Sequence, residues 1–158
     1  MPNLSFIPIV GTIRKVENMT GDCCSKMVTL RTPEEEVNFV VSPETTVIDS
    51  IPLRAGMYVA AFYDANAPMP LIFPPRYQAV LVTRLERGES VMLSRFDDTL
   101  TSFQNTLQLN PDRATRITTS NGQRFDCDLG NRELLVYYAN TTRSIPPQTT
   151  PRKIVVMC

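Results

Sequence analysis

The sequence predicts an all-β chain made of two tandem OB-like units, each a small five-stranded Greek-key barrel, related by internal duplication. Three observations carry this expectation. The chain holds 13 prolines in 158 residues, and they interrupt every stretch long enough for a helix, because proline lacks the N–H a helix interior needs. The segments between them are rich in Val, Ile, Thr, Phe and Tyr, which suit a pleated, half-buried surface. One order of sequence blocks also occurs twice, at a spacing of roughly 74 residues.

In chain order, Ile9–Val16 reads as a strand with a bend at Gly11. Ser25–Arg31 alternates, Val37–Val41 is apolar and β-branched, and Thr45–Ile48 is short. Leu53–Gly56 reads as a turn into the strand Met57–Tyr63. Asp64–Pro75 is a proline-rich loop, and Tyr77–Arg84 is the strand that closes the first unit. In the second half, Val91–Phe96, Ser102–Leu109, Thr115–Thr118, Arg124–Asp128 and Glu133–Tyr138 read as strands, with an Asn-Gly turn at Ser120–Gln123. A short helix near Thr101–Asn105 is the alternative for part of Ser102–Leu109. Thr141–Pro151 is a second proline-rich loop, and Lys153–Met157 closes the chain.

The repeated blocks are Ala61–Asn66 with Val136–Asn140, then Pro74-Pro75 with Pro146-Pro147, then Ala79–Val82 with Ile154–Val156. Upstream, Thr46–Ile48 matches Arg116–Thr118, and Gly11–Val16 matches Met92–Phe96. The expected domains are 1–86 and 91–158, the second packed on the first, with Glu86–Ser90 as a short polar linker. A unit of roughly 75 residues buries too little surface to be comfortably stable alone, so the halves are not expected to fold independently.

Composition narrows the function. Lys and Arg balance Asp and Glu at formal net charge zero, so the electrostatic term behind non-specific nucleic-acid binding is missing and a nucleic-acid partner is not expected. The chain has no histidine, which removes the commonest general base and the commonest zinc ligand. No signal peptide or membrane-spanning run is read, so the expected location is the cytoplasm. Cys23, Cys24, Cys127 and Cys158 form no CxxC pair and are expected to be free, inert thiols. No phosphate-binding glycine motif and no G-x-S-x-G occurs.

Glu34–Glu36 reads as a solvated hairpin tip rather than a calcium loop, which needs alternate spacing and a turn glycine. Asp126 and Asp128 would share one strand face opposite Cys127. Phe62, Tyr63, Phe73, Tyr77, Tyr137 and Tyr138 could stack bases, although alternation would bury about half of them. The stiff, proline-rich loops are long for hairpin connections, and long loops are disproportionately functional. Phe73, Arg76, Tyr77, Tyr138 and Arg143, in or beside those loops, are the candidate interaction residues. No catalytic, cofactor-binding or metal-ligating residue is assigned.

Phe39–Thr45, Gly56 with Ala65–Pro68, Pro70–Pro75 and Thr141–Pro151 resemble an uncharacterised family of small tandem-repeat β proteins of spore-forming Firmicutes. The resemblance spans nearly the whole chain. It implies the same OB-like tandem fold and brings no activity and no functional residue. The expected function is a non-catalytic interaction or structural module, binding another protein or self-associating through its proline-rich loops or strand edges. The competing reading is an OB-type binder of single-stranded nucleic acid or oligosaccharide.

Overall fold

The computed structural model describes residues 6–68 and 70–158. Among them there are strands, turns and one 3-10 turn, with no α-helix, and no helix is long and apolar enough to cross a membrane. The chain divides into two compact units, Met1–Leu85 and Glu86–Cys158.

The first unit contains β1 (Phe6–Met19), β2 (Asp22–Arg31), β3 (Glu36–Val41), β4 (Thr46–Val47), β5 (Tyr58–Asp64), β6 (Arg76–Gln78) and β7 (Leu81–Arg84), with the 3-10 turn Ile48–Ser50 after β4. These strands lie in one sheet, in the order β4-β7-β5-β1-β2-β3-β6. β1, β2 and β3 form an antiparallel meander, and β5 pairs antiparallel with β1 and β7. Two short pairs are parallel, β3 with β6 and β4 with β7. Alternation along the strands places Ile13, Val28, Leu30, Val37, Phe39, Val59, Ala61 and Val82 in one buried cluster, as a period-two pattern requires. On the opposite side of β2, buried Thr29 satisfies its hydroxyl by donating to Asn38 Oδ1 at 2.7 Å. At Gly11 an added Cβ would stand 2.6 Å from the Arg31 carbonyl oxygen. Glycine is what lets β1 and β2 approach this closely.

The second unit contains β8 (Ser90–Phe96), β9 (Gln108–Leu109), β10 (Arg116–Thr119), β11 (Arg132–Tyr138), β12 (Gln148–Thr149) and β13 (Lys153–Val156). A four-stranded sheet runs β10-β13-β11-β8, and β12 and β9 form a separate pair. Strand for strand the order follows the first unit: β11 is antiparallel to β8 and β13, β10 is parallel to β13, and β9 is parallel to β12. Between β8 and β9, where the first unit has β2 between β1 and β3, the described residues form two isolated bridges, Phe96–Ser102 and Thr101–Gln108. The core is Phe96, Leu107, Leu109, Leu129, Leu134, Val136, Ile154 and Val156.

One turn is built identically in both units. Thr45 N–H donates to the Ser42 carbonyl at 3.0 Å, and Thr115 N–H to the Asp112 carbonyl at 3.1 Å. The Thr45 hydroxyl donates to the Ala79 carbonyl at 2.8 Å, and the Thr115 hydroxyl to the Pro151 carbonyl at 2.7 Å. Each hydroxyl also accepts a backbone N–H, from Ser42 and from Asp112 respectively.

Several expectations are corrected. Among the described residues the units hold seven and six strands rather than five, and no sheet closes into a barrel. The expected closing strand Tyr77–Arg84 is broken. Ala79 N–H donates to Val40 of β3, whereas Val80 N–H donates to Phe62 of β5. The ladder therefore changes partner between neighbouring residues, and β6 and β7 end up at different places in the sheet. The second unit repeats the switch: Asn110 N–H donates to the Thr149 carbonyl, and Arg152 N–H to the Tyr137 carbonyl. Arg124–Asp128 is not a strand but an exposed irregular segment bridged only at Arg124. Asp126 and Asp128 consequently share no strand face. Ser102–Leu109 is a tight turn with two-residue β9 at its end, held by the Ser102 hydroxyl, which accepts the N–H groups of Thr106 and Leu107.

The turn after β8 depends on one carboxylate. Asp97 Oδ1 accepts the N–H groups of Thr99 and Thr101 and the Thr99 hydroxyl. These bonds, led by the one from the Thr101 backbone, hold the Asp97 pKa below its ordinary value. A carboxyl depressed in the folded state adds stability above its unfolded pKa, and that contribution disappears as pH falls through the folded value. The wild-type advantage in Tm over Asp97→Asn is therefore expected at about pH 7 and lost by about pH 2. Thermal melts at both pH values check it, and an advantage unchanged at the lower pH would rule the carboxylate out.

Candidate functional site

The most distinctive surface feature of the first unit lies where β3 and β6 run parallel. Register pairs Asn38 with Arg76, Phe39 with Tyr77 and Val40 with Gln78. That register brings Tyr77 onto buried Phe39, with ring centroids 5.3 Å apart and nearly parallel. Tyr63, at the end of β5, tilts against the same ring at 4.4 Å. A cleft of about 540 Å³ opens here. Val40, Tyr63, Tyr77 and Val80 form its apolar surface, and Met19 contributes from the end of β1. Ala67, Pro68 and Pro70 wall it from the loop, and Asp64, Arg76 and Gln78 supply polar groups. Burial pushes the Tyr77 phenol above its ordinary pKa, with Tyr63 and Glu35 adding to the shift. The phenol thus stays neutral and a hydrogen-bond donor at physiological pH.

The loop that walls the cleft continues into Leu71, Ile72 and Phe73 and returns through a cis Phe73–Pro74 bond. Leu71 is fully exposed and Phe73 is 86% exposed. In the second unit the corresponding loop carries a cis Ile145–Pro146 bond and an exposed Ile145.

The structure thus brings together only part of the candidate set. Arg76 and Tyr77 line the cleft. Phe73 does not line it and projects from the adjoining loop. Tyr138 and Arg143 belong to the second unit, where Tyr138 is half-buried against the core and Arg143 is exposed. Burial raises the Tyr138 pKa. Phe62 and Tyr137 are fully buried and are not surface aromatics.

The chain matches no protein-family model, no curated protein and no solved structure.

A second cleft, of about 640 Å³, occupies the equivalent place in the second unit. Asn110, Gln148, Thr149, Thr150 and Arg152 stand where Val40, Arg76, Tyr77, Gln78 and Val80 stand in the first. Its loop wall is Asn140, Thr141 and Thr142 instead of alanine and prolines. Asn110 Nδ2 donates to Gln148 Oε1 at 2.8 Å. Arg152 makes a bidentate pair with Glu89, Nε to Oε2 at 2.7 Å and a terminal nitrogen to Oε1 at 2.8 Å. Sequence reasoning missed this cleft. Matching the two units along the strand register exposes it, since Val40 and Val80 of the first correspond to Asn110 and Arg152 of the second at the same positions.

Glu34 and Glu35 sit in the exposed turn between β2 and β3, and Glu36 pairs with Arg14 at 2.9 Å. Among the described residues no group of three or more His, Cys, Asp or Glu could hold a metal ion. All four cysteines are unpaired and exposed.

Proposed function

We propose that the chain is a tandem pair of OB-like units related by duplication, and that it acts as a non-catalytic scaffold that self-associates through its first proline-rich loop. The duplication is supported by the common strand order, the twice-built Thr45 and Thr115 turn and the partner switch in each last strand. The OB-like reading is supported by the meander β1–β3, the antiparallel pairing of β5 with β1, and a last segment whose two halves pair apart, β6 with β3 at one end of the sheet and β7 between β4 and β5.

Self-association rests on one observation. Leu71 and Phe73 form an exposed apolar knob on the same loop whose Ala67, Pro68 and Pro70 wall the cleft. Exposed apolar patches next to a pocket mark interaction sites. A knob and a hole on one loop are self-complementary, so two copies can exchange tips reciprocally about a two-fold axis, which closes the assembly at a dimer. Burying two large side chains per copy supplies on the order of 3–6 kcal/mol.

Light scattering across protein concentration tests this. The wild-type chain is expected to be a concentration-dependent dimer. Leu71→Asp with Phe73→Asp is expected to weaken it at least about 100-fold, since 1.4 kcal/mol is a factor of ten. Both residues are exposed, so the thermal melt should be unchanged. A wild type that stays monomeric at high concentration, or a dimer untouched by the double variant, overturns the reading.

A second reading has its own support. Tyr63 and Tyr77 form a tilted aromatic pair beside Asp64, Arg76 and Gln78, which is the composition of a sugar- or base-stacking site. Binding of an oligosaccharide or oligonucleotide at these residues, with no dimer, would favour it.

A further inference from the structure

We propose that the cleft of the second unit binds a neutral polyhydroxylated ligand, of the chemical class of an oligosaccharide. The inference does not rest on self-association, which uses the first unit.

The comparison of the two clefts carries it. Their frameworks agree, because in both the walls are a parallel strand pair, the end of the strand before the loop, and the loop itself. Their linings differ in polarity at several of these positions. Where the first unit presents Val40 and Val80, the second presents Asn110 and Arg152; where the first presents Tyr77 and Pro68, the second presents threonines and Asn140.

The polar groups are arranged for a neutral partner. The Asn110–Gln148 hydrogen bond uses one group of each amide. It leaves the Asn110 carbonyl oxygen as an acceptor and the Gln148 nitrogen as a donor on two neighbouring side chains. A hydroxyl both donates and accepts, so neighbouring hydroxyls of a sugar match such a pair. The Thr141 and Thr150 hydroxyls extend the same capacity along the wall.

Charge disfavours an anion. The single guanidinium, Arg152, is already held bidentately by Glu89, with Glu86 at 3.6 Å. The Asp112 carboxylate is engaged by the N–H groups of Ala114 and Thr115 in its own turn. No cation in the cleft is left to meet a phosphate or carboxylate, and the surplus acid repels one. The site also lacks an aromatic platform, so the expected affinity is in the millimolar range.

The experiment is a nuclear magnetic resonance titration of the full chain, isotope-labelled and carrying Leu71→Asp with Phe73→Asp so that dimerisation moves no signals. The probes are maltose, cellobiose and diacetylchitobiose at millimolar concentration, with glucuronate and spermidine as charged comparisons. At least one disaccharide is expected to give saturable shifts at Asn110, Gln148 and Thr150. Asn110→Ala with Gln148→Ala should weaken them about 10-fold or more, a loss of two specific hydrogen-bonding groups. If that variant is unfolded, Thr150→Val serves in its place, with a smaller expected loss. No saturable shift with any disaccharide overturns the proposal. So do shifts confined to Tyr63 and Tyr77, or a response to glucuronate or spermidine as strong as to the sugars.

Discussion

Phe96→Ala is expected to lower the unfolding free energy by about 3–5 kcal/mol, the usual effect of emptying a core aromatic site. Phe96 is fully buried and packs with Leu107, Leu109, Leu134 and Ile154. It is also where β8 hands over to the turn, through its isolated bridge to Ser102. The cavity therefore opens where the least surrounding backbone is available to collapse into it. Phe103 provides the control, because it is 71% exposed and its truncation should change stability by less than about 0.5 kcal/mol. Urea denaturation of the two variants separates them. Equal costs would mean that Phe96 is not a core residue.

The second large effect is expected at Arg152. Glu89 has only 5% of its side chain exposed, while Arg152 is 39% exposed. Arg152→Ala would leave a nearly buried carboxylate without its bidentate partner. Stranding a fully buried charge costs about 3–5 kcal/mol. The guanidinium here is partly solvated, so water screens the pair, and about 1.5–3 kcal/mol is the discounted expectation. The hydrogen bonds that Arg152 donates to Glu89 raise the Arg152 pKa, so the guanidinium keeps its charge throughout the accessible pH range. A double-mutant cycle with Glu89→Ala isolates the pair. A coupling of about 1 kcal/mol or more is expected, and a coupling near zero would reduce the contact to a surface ion pair of no consequence.

Much of the strand pattern was legible because it follows side-chain chemistry. Val37–Val41, Glu133–Tyr138 and Lys153–Met157 carry β-branched and aromatic runs, and they fold as β3, β11 and β13. The closing strand was misread because residue type does not determine where its ladder switches. Ala79 and Val80 are both compatible with a continuous strand. The break arises because their N–H groups meet Val40 and Phe62, which lie on different strands. Arg124–Asp128 failed for a different reason. Phe125 alternates with polar residues as a strand residue would, but it packs onto the core from an irregular segment. Of the candidate residues, Arg76 and Tyr77 were picked out for their place beside a stiff loop, and both are half-buried, Tyr77 against the core. Asn110 and Gln148 were not, because amides carry no motif and acquire meaning only from the register that sets them side by side.

The absence of a hairpin partner directly after β8, among the described residues, changes what the chain must do to fold. β1 meets β2 across the tight turn at Thr20 and Gly21, and β3 follows after a second short turn. The first unit can therefore begin from a local hairpin, gaining ladder bonds while little chain entropy has been spent. β8 has no such neighbour. Its ladder partner is β11, and nothing before Arg132 can pair with it except the bridge at Ser102. The same strand order thus has two different loop-closure costs: one half of the chain can zip up from a nearby turn, while the other must first bring distant segments together.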